Sequence, residues 1–296
     1  MSELQLSIVL ASSATGGDLD AVIAALEGGC EGISAELIVI RAGGEGRVTQ
    51  QQNNFTGVRV DTRPAGTLTP VLWGAGLGLA RAPVVAFTTD QMQVTPAWGR
   101  ALLDGMKPGV AGVAGPIDLA GGASAATTAA YFVRFSLFTP GLWPSMAPAA
   151  DIPGDNAAYR RDAALQHVDR VREGFWEVEF HRRFEKEGFT LSMVPAAVAT
   201  LVGPVPFAEL FRQRFRHGRE FGFSRVQRHR ESRAKLLLFS PLVPLLLLTR
   251  IGGRAWRTPS NRGRFLVALP FLALLATAWA AGEVAGALRG DVEPVR

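Results

Sequence analysis

"LTPVLWGAGLGLARAPVVAFTTDQ", residues 68–91, decides the fold. Residues 68–81 suit a helix, and 83–88 form an apolar run without polar alternation. Such a run reads as a strand buried on both faces of a parallel sheet. One carboxylate, Asp90, follows it directly. In sheets of this kind ligands bind at the carboxyl ends of the strands, so Asp90 stands where a ligand is expected.

Working outward, the same alternation continues. Residues 5–11, 35–44 and 57–62 read as strands, and Asp18 to Leu26 as a helix preceded by Gly16-Gly17. A helix is expected over 94–106, started by Thr95-Pro96. A strand follows at 109–117, then an Ala/Gly/Pro-rich stretch at 119–150 expected to form a flexible wall. "PGDNAAYRRDAAL" (153–165) leads into a helix, "EGFWEVEFHRRFEKEGF" (173–189) is a second, and "TLSMVPAAVATLV" is a strand. Strand and helix in turn argue for an α/β fold: a Rossmann-like, mostly parallel sheet with helices on both faces.

Composition sets bounds. The 296 residues are 48% hydrophobic and 19% charged, too apolar for disorder. The net charge of +5 is uneven: residues 212–235 hold eight arginines and Lys235 against Glu220 and Glu231, a local +7. A basic block directly before an apolar segment argues for anionic lipid headgroups, not nucleic acid. The single cysteine, Cys30, excludes an internal disulfide; a catalytic thiol is the weaker reading. The first apolar run has Glu3 before it instead of basic residues, so it reads as a buried strand and not a secretion signal.

Beyond residue 206 the pattern changes. Phe207, Leu210, Phe211 and Phe215 fall on one helix face, with arginines on the others. This is a basic amphipathic helix suited to a membrane surface. The run 236–249 reaches only about 21 Å as a helix, short of the roughly 30 Å hydrocarbon core. Pro241 and Pro244 interrupt it, so a re-entrant or short span is expected. The run 265–282 is long enough to cross. The loop between carries Arg250, Arg254, Arg257, Arg262 and Arg264 and no acid, placing it on the cytosolic side. A two-helix hairpin, or two buried helices of a soluble protein, are the competing readings.

The order of these signals resembles family 2 glycosyltransferases of the GT-A fold, over residues 4–220. The resemblance rests on the first strand, "PAGTLTPVLWGAGLGLARAPVVAFTTDQMQVTPAW", "PGDNAAYRRDAAL" and "GFWEVEFHRRFEKEGF". It implies transfer of a sugar from a nucleotide-diphosphate donor. Thr89-Asp90-Gln91 aligns with the acidic triplet that holds Mg²⁺ or Mn²⁺, with both outer acids replaced; Asp90 is left as the metal ligand. Glu177 takes the place of the catalytic base, with Trp176 in the position of the acid before it and Glu179 the next candidate. Asp155 and Asn156 match the acceptor loop. Ala11, Ser12 and Ser13 match the turn that meets the nucleotide. Arg41 stands where an acid is usual. Gln213 and Arg216 are similar to a Gln-x-x-Arg-Trp motif, with His217 in place of the tryptophan.

Each residue also has a plainer role. Asp90 can cap a turn, Glu177 can pair with Arg182 or Arg183, and Asp155-Asn156 can cap a helix. The implied organisation is a catalytic domain over 1–205, an interface helix over 206–235 and a membrane region over 236–296. The implied function is an inverting glycosyltransferase on the cytoplasmic side of the cell membrane, acting on a lipid-linked or cell-envelope glycan. A non-catalytic relative that binds glycan or scaffolds a membrane complex is the alternative, motivated by the missing acids.

Overall fold

The computed structural model describes residues 3–13, 18–43, 55–227 and 232–288. Gly16-Gly17, Gly44 and residues 228–231 of the basic block lie outside the described residues. The chain divides into two compact units, one of residues 1–120 and 138–203, the other of 121–137 and 204–296.

The first unit is α/β. Its strands are β1 (Leu6–Ser13), β2 (Ala35–Ala42), β3 (Val58–Arg63), β4 (Val84–Thr89), β5 (Met92–Val94), β6 (Val110–Ala114), β7 (Ile117–Leu119), β8 (Ala147–Ala149), β9 (Asn156–Arg160), β10 (Thr190–Met193) and β11 (Ala199–Leu201). Eight of them form one mixed sheet in the order β3-β2-β1-β4-β9-β6-β10-β8; β5, β11 and β7 form a small second sheet. The β3-β2-β1-β4 half is parallel throughout. β9 runs antiparallel between β4 and β6.

Helices cover both faces of the large sheet, as the apolar strands require. Val9, Ile38 and Phe87 pack with Leu72, Trp73 and Leu77 of α2 (Thr69–Leu79). On the other face Leu10, Leu37 and Val39 pack with Val22 and Leu26 of α1 (Leu19–Gly29) and Trp98 and Leu102 of α3 (Trp98–Gly105). Asp18 caps α1, accepting from the Ala21 amide at 3.1 Å. Gly76 is what lets α2 lie so close: a Cβ there would strike the Val9 side chain.

Three expectations are corrected here. Residues 119–150 are not an irregular wall: they contain α4 (Ala125–Phe135), capped by Ser124 and belonging to the second unit. "PGDNAAYRRDAAL" opens with β9, not a helix, and only Arg161–Leu165 is helical, as α5. Its small Ala157 and Ala158 carry little strand propensity, yet they fit the crowded sheet centre. "EGFWEVEFHRRFEKEGF" is split: α6 (Val168–Glu173) ends at Gly174 (φ 121°), and α7 (Glu177–Lys186) begins three residues later.

The second unit is helical: α4, α8 (Phe207–Gln227), α9 (Arg233–Phe239), a tight turn at Ser240–Leu242, α10 (Val243–Arg257) and α11 (Pro259–Leu288). Pro241 and Pro244 sit in first turns and so do not break the run. Arg233–Arg257 (25 residues, mean hydropathy 1.8) and Pro259–Leu288 (30 residues, 2.0) are both long and apolar enough to cross a membrane. The first is therefore longer than the 236–249 run suggests.

Helix α8 turns Phe207 and Leu210 inward, Phe207 against Phe271, and keeps Phe211 and Phe221 exposed. It packs along α11 through a seam of small residues. A Cβ on Gly218 or Gly222 would run into the carbonyls of Trp279 and Glu283; one on Gly282 or Gly286 would run into those of Phe215 and Arg219. This is the close approach that paired small-xxx-small patterns permit. The buried Glu283 carboxylate is met there by Arg225 at 2.6 Å.

Candidate functional site

The carboxyl ends of β2, β1 and β4 lie side by side, and this register assembles the first group. Ser12 is paired with Arg41, and Ala11 with both Ile40 and Thr89. The Asp90 amide donates to the Ala11 carbonyl at 3.1 Å, and Asp90 Oδ2 accepts from the Ser13 amide at 3.0 Å. So Ala11, Ser12, Ser13, Arg41 and Asp90, far apart in sequence, form one corner. Asp90 is only 3% exposed. Burial pushes its carboxyl up, against the Ser12 hydroxyl, the Ser13 amide and the Arg41 charge, which favour the anion. Beside it, the Oγ1 atoms of Thr88 and Thr89 are buried and without a hydrogen-bond partner among the described residues. An unpaired buried hydroxyl is costly, so this strand end is locally unsatisfied.

A second group adjoins the first through β9. Its antiparallel pairing sets Asn156 opposite Thr88, which brings the loop before β9 to the end of β4. Trp73 ties the two together: its Nε1 donates to the Thr88 carbonyl at 3.0 Å, and its ring stacks on Phe87. Gly154 in that loop is packed against Trp73 and against the Glu177 carboxylate. Glu177, the first residue of α7, is half-buried. Trp176 precedes it, 38% exposed, with its Nε1 donating to the Glu173 carbonyl at 3.3 Å.

Close to Glu177 runs a chain of polar contacts, from half-exposed Asp151 to buried His181 and Tyr159, that the sequence does not announce. His181, one helical turn on, bonds the Asp151 carboxylate through Nδ1 and meets the Tyr159 hydroxyl through Nε2 at 2.8 Å. A carboxylate only accepts, so Nδ1 carries the proton, and in the neutral ring Nε2 accepts from the Tyr159 hydroxyl. Tyr159 is held well above its ordinary value, first by burial and then by the charges of Glu177 and Asp151, so it stays a donor. The i, i+4 spacing of Glu177 and His181 was the only available signal for this arrangement.

Several sequence-predicted residues take other tasks. Asn156 is wholly buried; its amide donates to Pro116 and Ala197 carbonyls and its oxygen accepts from Trp98 Nε1 at 2.7 Å. It therefore ties β9 to the β6–β7 and β10–β11 turns and to the start of α3, and has no donor left for a sugar hydroxyl, which corrects the acceptor-binding expectation. Asp155 lies at the loop's end, 8% exposed. Glu179 is paired with Arg183 at 2.7 Å. Gln213 and Arg216 are exposed residues of α8 in the second unit. Cys30 is buried with its thiol pushed up to about 12 by desolvation, which leaves no thiolate for catalysis. A cavity of about 350 Å³, lined by Ala97, Arg100, Asp104 and Met146 among others, includes none of the candidate residues.

The donor set does not fit a divalent metal held by protein ligands alone. Asp90 is one carboxylate, its Oδ2 is already engaged, and its neighbours Thr89 and Gln91 are neutral. Among the described residues no group of three His, Cys, Asp or Glu could hold a metal ion. Compared with known protein families and with curated proteins, the chain matches none.

Proposed function

We propose that this chain is a membrane-associated glycosyltransferase of the family 2, GT-A type, moving a sugar from a nucleotide-diphosphate donor to a lipid-linked or cell-envelope glycan. One observation carries the reading. The Asp90 corner and the Glu177–Gly154 loop meet at the same carboxyl edge of the sheet, joined by the Thr88–Asn156 register. That edge is where open α/β sheets bind nucleotides.

In this reading Ser12, Ser13 and Arg41 face the nucleotide and its diphosphate, and Arg41 supplies positive charge where the leaving group gathers negative charge. Glu177 takes the proton of the acceptor hydroxyl. The hydroxyl oxygen attacks the anomeric carbon, the bond from that carbon to the diphosphate breaks, and the configuration inverts. No step is assigned to a metal. The exposed apolar helices of the second unit hold the enzyme at the cytoplasmic face, near a lipid-borne acceptor. Initial rates of sugar transfer from a panel of nucleotide sugars to lipid-linked acceptors test it; transfer from none counts against it.

A second reading follows from the acids missing at positions 41, 89 and 91 and the poor metal fit: a non-catalytic relative that binds glycan or scaffolds a membrane complex. Such a protein would show glycan binding without turnover of any donor.

A further inference from the structure

We infer that the second unit seats in one leaflet of an anionic membrane, with α9, α10 and α11 lying in the interface plane and not crossing it. The inference rests on the membrane-association part of the reading above and is independent of sugar transfer.

The apolar surface is there and it is one-sided. Leu238 is 72% exposed, Leu242 56% and Leu245 61% on the α9–α10 run; Leu266 is 56% and Val267 64% exposed on α11. A monomer in water does not display such a row without a partner surface. Yet the opposite side of α11 is covered along its length. Near its start, Phe265 meets Phe132 of α4 edge-on at 5.9 Å. Further along, Phe271 meets Phe207 of α8 at 5.2 Å, and the glycine seam follows.

These neighbours decide the orientation. Helix α8 carries Arg212 and Arg216, both exposed, beside the half of α11 that a crossing helix would bury in lipid. Arginines at hydrocarbon depth with no partner are strongly disfavoured. The other end of α11 is tied to α4 through Phe265 and Phe132. A crossing hairpin would also set the arginines near the α10–α11 turn, Arg257 and Arg262, on the opposite side from those of α8, against the usual bias. Lying flat, both basic groups reach headgroups while the leucines dip into the acyl boundary. The exposed apolar positions of α11 run from Leu266 through Leu274 to Leu288, a row along one side that an in-plane helix can lay into the acyl boundary.

Single cysteines read the topology directly: Ser260→Cys near the α10–α11 turn and Leu288→Cys at the end of α11, both exposed positions, in the 296-residue chain. Buried Cys30 stays silent. A membrane-impermeant maleimide is applied to spheroplasts and to inverted vesicles. Both cysteines should label from the same, cytoplasmic face; labelling from opposite faces overturns the inference. Flotation adds the lipid: binding to phosphatidylglycerol/phosphatidylcholine vesicles should exceed binding to phosphatidylcholine alone by roughly tenfold, and equal binding overturns the anionic part. Protein found only in the soluble fraction would instead defeat membrane association itself, a separate result.

Discussion

The Glu177 carboxylate rests on the backbone of Gly154: a Cβ built on that glycine would lie 2.7 Å from Glu177 Oε2 and 2.9 Å from the Trp73 ring. No other residue fits there without moving the base, the tryptophan or the loop. Gly154→Ala should therefore cut transfer strongly, while costing about 1–3 kcal/mol of stability by overpacking. Rates with thermal melts separate the two effects. Unchanged transfer would show that Glu177 does not work from this position.

Glu177→Gln keeps the shape and removes the carboxylate proposed to take the acceptor proton. Transfer should fall by about 10²–10⁴-fold with an unaltered melting curve. Glu179→Gln, which breaks only the Arg183 pair, should leave the rate within a factor of a few. The reverse ranking would reassign the base.

The Asp151–His181–Tyr159 chain holds the loop that carries Gly154 against α7. Asp151→Asn still offers an oxygen to His181 Nδ1, whereas Asp151→Ala does not. The alanine variant should lose roughly tenfold or more in kcat with little change in donor KM, because the reacting groups are displaced. The asparagine variant should recover most of that loss. Equal losses would mean that the charge, and not the tether, matters.

Much of this fold is legible because its strands are apolar without alternation and helix patterns alternate with them. What stayed hidden depends on three dimensions. β9 escaped notice because Ala157 and Ala158 look helical, and only the tight space between β4 and β6 favours them. α4 was concealed by an Ala/Gly/Pro-rich setting, although Ser124 is an ordinary helix cap. In the candidate site Asp90 stands out by its place after an apolar strand, whereas Glu177 and the Ala11–Ser13 turn are singled out only by the resemblance. Asn156 could not be recognised as structural, since its three partners come from distant segments. Nor could the glycine seam be paired, because Gly218 and Gly282 lie far apart in sequence.

At the other end of the sheet Glu36 is 1% exposed, held by Ser7 Oγ at 2.6 Å, Arg59 at 2.7 Å and Arg81 at 2.8 Å. Burial raises its carboxyl, but the hydrogen bonds from Ser7, Arg81 and Arg59 outweigh it and the net shift is downward. A lowered folded value stabilises the protein above the ordinary carboxylate range and is lost as pH falls through the lowered value. Glu36→Gln should cost about 2–3 kcal/mol at neutral pH. In denaturant melts that gap should narrow below roughly pH 4. A gap independent of pH would show that the charge contributes nothing.

Calorimetric titration of the 296-residue chain with a panel of nucleotide-diphosphate sugars, with and without Mn²⁺, tests the central claim most directly. At least one donor should bind, and Arg41→Ala should weaken that binding by roughly tenfold or more through loss of a charge-assisted contact. Binding of no donor in either condition would contradict the account and leave the Asp90 corner as a strand end.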